Sequence, residues 1–241
     1  MQVTECALCF LIVKRISLND SNQPKNEKLV LNEQHFVLHH WRALFWEEQQ
    51  LLVISDLHVG KSSHFRKNGL PVPREVGRSN FWRLSGLILD FRPREVLFLG
   101  DLSHSSHNKE WNDFVDVRQN FEEIKFSLVP GNHDILDLED YQKANIELLP
   151  EVHQVGAFYF SHDQLAKEQI PLGVINVFGH IHPGVRMSGS GRQSLRLSCF
   201  YIYENQFVMP AFGDFTGKHL IRPRKGSSVF VTTEKEVIPV K

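Results

Sequence analysis

Five groups of chelating residues stand in order along this 241-residue chain: Asp56-x-His58, Gly100-Asp101-x-x-His104, Gly131-Asn132-His133-Asp134, His162 and Gly179-His180-x-His182. Carboxylate oxygen, amide oxygen and imidazole nitrogen are all competent ligands for divalent transition metals, and no thiolate stands among them. Two ions sharing one bridging carboxylate need about seven protein ligands when water fills the remaining positions. Asp56, His58, Asp101, Asn132, His162, His180 and His182 supply that number. His162 is preferred to His153 because it ends an apolar run, whereas His153 precedes one. A pair of cations lowers the pKa of bound water and stabilises charge on a reacting oxygen, which is hydrolytic chemistry.

Each group follows a short apolar segment. Leu51–Ile54 leads to Asp56, Val96–Leu99 to Asp101, Phe126–Val129 to Asn132, Ala157–Phe160 to His162 and Val174–Phe178 to His180. Such runs, bounded by turn residues, predict buried strands that deliver their ligands at one carboxyl-terminal edge. In extended backbone, the spacings D-x-H and H-x-H place both side chains on one face. Leu84, Leu87, Ile88 and Phe91 repeat at i, i+3, i+4, i+7 before Pro93 and predict a helix between the first two strands. Trp111, Phe114 and Val115 predict a second. His35–Leu38 with Ala43–Trp46 reads as a hairpin, and Leu197–Tyr203, Phe207–Met209, Ser228–Thr232 and Val237–Val240 read as further strands. The expectation is an α/β fold of two packed sheets with helices outside.

The ordered set D-x-H, G-D-x-x-H, G-N-H-D, H, G-H-x-H resembles the calcineurin-like metallophosphoesterases. The resemblance implies a four-layer α/β/β/α sandwich of two mixed sheets flanked by helices. By position it makes Asp56, His58 and His182 ligands of one metal, Asn132, His162 and His180 ligands of the other, and Asp101 the bridge. It implies a hydroxide held between the ions as nucleophile, His133 at the leaving group as general acid or charge stabiliser, and Asp134 orienting His133. His104 stands where other branches carry an acidic residue, so a supporting and a substrate-facing role are both open. Arg42-Ala43-Leu44-Phe45-Trp46, Asp56 to Lys61, Phe65-Arg66 and Pro210 to Gly217 resemble a bacterial subgroup described as ligase-associated DNA damage response phosphoesterases or endonucleases. That narrower resemblance implies a nuclease working with ligase and helicase partners.

The donor set suits manganese first, with iron or zinc as alternatives, and suits all-oxygen-seeking magnesium less. A net charge of -1 argues against a bulk electrostatic grip on DNA. A small nucleotide-like phosphodiester or phosphate ester therefore competes as substrate. A catalytically idle scaffold of the same fold should have lost ligands or His133, and this sequence keeps them all. Lys61, Arg66 and Lys67 read equally as a phosphate clamp and as a solvated charged loop. Arg186, Arg192 and Arg196 flank a Ser-Gly-Ser-Gly stretch, which favours a flexible hairpin tip over a substrate groove. Phe212 and Phe215 read as a wall of the site or as plain core, with core favoured and Gly213 and Gly217 as turn positions. His35, His39, His40, His64, His107 and His219 read as ordinary hydrogen-bonded histidines.

With 41% hydrophobic residues the protein can build one large core. Residues 1–30 read as an N-terminal arm, polar around Pro24, and 31–241 as a single catalytic domain. Cys6-x-x-Cys9 lacks the second pair a zinc site requires; with Cys199 these read as free thiols. The apolar run Ala7–Val13 is short and lacks a cleavage site. Neither a membrane segment nor a signal is expected, which points to the cytoplasm.

Overall fold

The computed structural model describes residues 24–62, 65, 75–104, 107–189, 193–214 and 216–240. Arg66, Lys67, His64, Phe215, Arg192, Cys6 and Cys9 lie outside the described residues. Two sheets face one another. The first runs β1 (Glu27–Leu31), β2 (Gln34–His39), β3 (Ala43–Trp46), β4 (Leu51–Ser55), β5 (Glu95–Leu99), β6 (Lys125–Val129), β7 (Ile146–Leu148). Its strands β1 to β4 meander antiparallel and β4 to β7 are parallel. The parallel half is the part joined by helices: α1 (Glu75–Phe91), α2 (Lys109–Gln119) and the short α3 (Leu138–Lys143). The second sheet contains β8 (Val152–Val155), β9 (Phe158–Ser161), β10 (Ile175–Phe178), β11 (Pro183–Ser188), β12 (Ser194–Tyr203), β13 (Gln206–Val208), β14 (His219–Leu220), β15 (Ser228–Thr232) and β16 (Val237–Val240). Its order is β14-β11-β12-β13-β10-β9-β8, with β15 beside β12 and β16 beside β15.

The period-2 pattern decides which face each side group takes. Leu44, Trp46, Leu51 and Val53 meet Phe158, Phe160, Val177 and Phe207 between the sheets. Their neighbours Ala43, Phe45, Leu52 and Ile54 turn to the other face, where Leu84, Leu87, Ile88, Trp111 and Phe114 cover them. The predicted helical stripes are thus the buried faces of α1 and α2. Asn108 caps α2 by accepting from the N–H groups of Glu110 and Trp111. The outer face of the second sheet carries its own cluster around Phe178, Val185, Cys199 and Tyr201. Among the described residues no α-helix falls between β8 and β16, so this outer layer is strand and loop. The Cys199 thiol there is free, and burial pushes it up to about 12.

The stretch read as an arm ends sooner than residue 30. Lys25 donates its N–H to the Lys235 carbonyl and accepts from Val237, both at 2.9 Å, and β1 then pairs along its length with β2. Polar composition hid it because an edge strand needs only one apolar face, here Leu29 and Leu31. No helix among the described residues is long and apolar enough to cross a membrane.

Candidate metal centre

The five predicted site strands deliver their ligands to one edge. β4 and β5 are in register, Ser55 opposite Leu99, so the backbone emerges from both at the same height. There the Asp56 N–H bonds to the Gly100 carbonyl at 3.3 Å and the His58 N–H to the Asp101 carbonyl at 2.8 Å. From the other sheet, the Gly179 N–H bonds to the His162 carbonyl at 3.1 Å. Two of the glycines are required by close approach. A Cβ on Gly100 would lie 2.0 Å from His162 Nδ1, and one on Gly179 would lie 1.7 Å from Ser55 Oγ. The ligand residues themselves are held in left-handed backbone: φ is 54° at Asp56, 52° at His58, 49° at Asp101, 64° at His180 and 47° at His182. For non-glycine residues this costs roughly 1–2 kcal/mol each and persists only where the surrounding fold enforces it.

Two groups of potential ligand atoms result: Asp56, His58 and His182 in one, Asp101, His162 and His180 in the other. Asp101 lies between them, with Oδ2 3.7 Å from His58 Nε2 and Oδ1 3.4 Å from His162 Nε2. Asn132 Oδ1 reaches to 3.1 Å from His162 Nε2, and His180 Nδ1 to 3.0 Å from the same atom. All seven sequence-predicted ligands are therefore brought together. His153 lies in β8 opposite Phe160, away from both groups.

The donor atoms fit cations. Asp56 Oδ1, His58 Nε2 and His182 Nε2 are buried without a hydrogen-bond partner. His182 Nε2 and Asp56 Oδ1 stand 3.1 Å apart yet in no hydrogen-bond geometry, as lone pairs converging on a third body would. Such orphaned polar atoms are costly in an empty protein interior. Hydrogen bonds from the surrounding fold anchor the carboxylates. Asp56 Oδ2 accepts from Ser55 Oγ and from the His180 N–H at 3.1 Å. Asp101 Oδ1 accepts the His133 N–H at 2.9 Å. Burial, followed by the nearby Lys61 ammonium, holds His58 far below the ordinary histidine range, so its imidazole is neutral and able to ligate.

His104, left open by sequence, has Nδ1 3.2 Å from His58 Nδ1. That contact orients His58 with Nε2 toward the centre. Its ring also lies 4.6 Å from that of His133, which is itself 5.5 Å from His58. Lys61 is half-buried nearby; desolvation lowers its pKa while Asp101 and Asp56 raise it. Asp134 corrects an expectation. Its Oδ1 accepts the Ser103 N–H at 2.8 Å and its Oδ2 the Gly131 N–H at 2.9 Å, and no contact joins it to the His133 ring among the described residues. The carboxylate ties two ligand loops together, because the following turn aims it back at their amides. Burial pushes it up to about 6 against the pull of those two N–H groups.

Sequence reading marked Pro210–Gly217 by resemblance and Phe212 as core, but not the contacts that place Met209–Gly213 at the site. Met209 donates to the Phe178 carbonyl at 2.7 Å, Phe212 to Ser55 at 2.8 Å and Gly213 to Asp56 at 3.0 Å, so it bridges both sheets beside the ligands. Phe212 is core, as expected. Asp214 then accepts from Arg42 at 2.7 Å and pairs with Arg83 at 3.2 Å. The sequence signals were the subgroup resemblance and an aromatic, glycine-containing run, neither of which names a partner. A cavity of about 390 Å³ lies beside this clamp, and another of about 480 Å³ opens over Asn132, His162 and His180.

A sandwich of two mixed sheets with paired ligand groups at one edge defines a class, and the family model of calcineurin-like phosphoesterases matches residues 50–206. The chain belongs to the calcineurin-like phosphoesterase family. Among solved structures it is similar to the nuclease MPE of Pseudomonas putida, 25% identical, with a TM-score of 0.75 over 90% of this chain and 100% of that one. YfcE, a phosphoesterase from E. coli, is 15% identical with a TM-score of 0.43 over 79% of this chain and 97% of its own. No curated protein matches.

Proposed function

We propose that this protein hydrolyses phosphodiester bonds of nucleic acid at a two-metal centre. The observation that carries the reading is Asp101, a carboxylate whose two oxygens face opposite ligand groups. Asp56, His58 and His182 would hold one ion, Asn132, His162 and His180 the other, and Asp101 both. Manganese is the first candidate for this mixed nitrogen and oxygen set. When bound, such ions supply Lewis acidity and an activated water at neutral pH.

The protein's own groups do the rest. His58 stays neutral in its buried place, aligned by His104. The His133 ring, partly exposed beside His58 and His104, donates a proton to the leaving oxygen or stabilises its charge. Asp134 fixes the Ser103 and Gly131 loops, and so the spacing of Asp101 and Asn132. The likeness to the Pseudomonas nuclease supports nucleic acid as the substrate.

Hydrolysis of bis-p-nitrophenyl phosphate and of a labelled oligonucleotide by manganese-loaded protein tests this. Turnover of both is expected, with Asp101→Asn lowering both by a hundredfold or more. No turnover with any divalent ion, or turnover indifferent to Asp101→Asn, contradicts it.

A further inference from the structure

The cavity of about 390 Å³ lies between the turn joining β2 to β3 and the β11–β12 hairpin. Four cations line it (Arg42, Arg83, Arg196 and Lys218) against two carboxylates, Asp214 and Glu234. Asp214 is shared by Arg42 and Arg83. Neither Arg196 nor Lys218 has an ion-pair partner among the described residues, and both are exposed. Arg83 is buried, and its Nε finds no acceptor. Arg196 also stands directly opposite Arg186 in the β11–β12 ladder, a like-charge pairing that costs stability unless an anion sits nearby.

The cavity shares its edge with the candidate metal centre. β3 is antiparallel to β4 with Leu44 opposite Val53, so the turn at His40–Arg42 comes level with Ser55 and Asp56. Gly213, next to Asp214, donates to the Asp56 carbonyl. Lys218 precedes His219, whose N–H bonds to the His182 carbonyl at 3.0 Å. The basic pocket thus abuts the Asp56–His58–His182 group on the side away from His162.

An aromatic pair completes it. Trp41 lines the pocket, and its ring lies 5.1 Å from that of Trp82, which stands 61% exposed on α1. A large exposed indole beside an anion pocket matches one nucleotide unit, phosphate in the pocket and unpaired base on the ring. We infer that this pocket is a subsite for a single-stranded nucleic acid, binding a backbone phosphate next to the scissile one and stacking its base on Trp82. The inference rests on the nucleic-acid reading above.

The test is fluorescence anisotropy of a labelled oligothymidylate with the metal-free protein, across salt, beside manganese-dependent hydrolysis of the oligonucleotide and of bis-p-nitrophenyl phosphate. Arg196→Ala/Lys218→Ala should weaken oligonucleotide binding tenfold or more. It should also flatten the log–log salt slope by about 0.7, from the loss of one single-strand phosphate contact. Trp82→Ala should weaken binding about tenfold with the slope kept. For the double variant, kcat/KM on the oligonucleotide should fall at least tenfold more than on the small diester. Unchanged affinity and slope in both variants, with the wild-type thermal midpoint retained, overturns the subsite. Wild-type binding sensitive to these variants without hydrolysis of either substrate would sink the enzymatic reading and leave the subsite standing. Hydrolysis of the small diester without oligonucleotide binding at low salt would do the reverse.

Discussion

At the residue scale the centre is defined by where each ligand's second polar atom goes. Asp56 gives Oδ2 to Ser55 and His180 and leaves Oδ1 unsatisfied; His58 turns Nδ1 to His104 and leaves Nε2 unsatisfied. The left-handed backbone at five ligand positions aims these atoms inward before any ion arrives. His104 is then a positioning residue. His104→Ala should weaken manganese affinity by about 10- to 100-fold, read by isothermal titration; unchanged affinity would show that His58 needs no support. His133→Ala should behave differently. Its backbone N–H still serves Asp101, so metal binding should persist while hydrolysis falls by about 10²–10⁴-fold. Loss of metal along with activity would move His133 from proton donor to scaffold.

At the element scale the parallel strands, both long helices and the ligand order were legible, because apolar runs and 3.6-residue stripes report burial directly. β4, β5 and β6 each match an apolar run ending at a motif, with bounds moved by a residue. What stayed hidden was specified by partners and not by local pattern. β11 begins with Pro183-Gly184 and carries Arg186 and Ser188, so nothing in it reads as strand, yet β12 pairs with it from Gly184 to Ser188. The ligands were legible as types and spacing, but the partners of Asp134, the Ser103 and Gly131 amides, were not, because one turn's direction lies below sequence resolution. The β2–β3 turn carries a pH consequence. His39, buried and beside His40, is lowered to about 3 and accepts the Trp41 N–H at 3.1 Å on Nδ1. Unfolded, it takes a proton below about pH 6.5. Its contribution is complete above that pH and is lost progressively as pH falls toward 3, about 2 kcal/mol by pH 5. Urea unfolding of metal-free protein at pH 7 and pH 5 should show a smaller drop for His39→Asn, which keeps an acceptor for Trp41, than for the wild type. Equal drops would contradict the assignment.

At the scale of the whole molecule the centre is a seam between two sheets, so its geometry depends on what fastens them. Met209–Gly213 crosses the seam by backbone hydrogen bonds, and Asp214 locks it to Arg42 of the first sheet and Arg83 of α1. Phe212 beneath it stacks 4.6 Å from the Arg83 guanidinium. Asp214→Ala would strand a buried cation. The cost should fall below the ~3–5 kcal/mol of a fully buried pair, because the Asp214 carboxylate keeps 35% exposure. Denaturant titration reads this, and an effect under about 0.5 kcal/mol, ordinary for a surface change, would deny the clamp its role. Ser55, Phe178 and Asp56 meet that segment, so loosening it should also lower metal affinity.

The claim on which all three scales depend is that Asp101 joins two ions in one site. Manganese titrated into metal-free protein and followed by low-temperature electron paramagnetic resonance measures that directly. The expected result is two ions per protein molecule with a spin-coupled signal, reduced to an isolated manganese spectrum in Asp101→Asn. A single uncoupled ion in the wild type, or coupling that survives Asp101→Asn, would contradict the account.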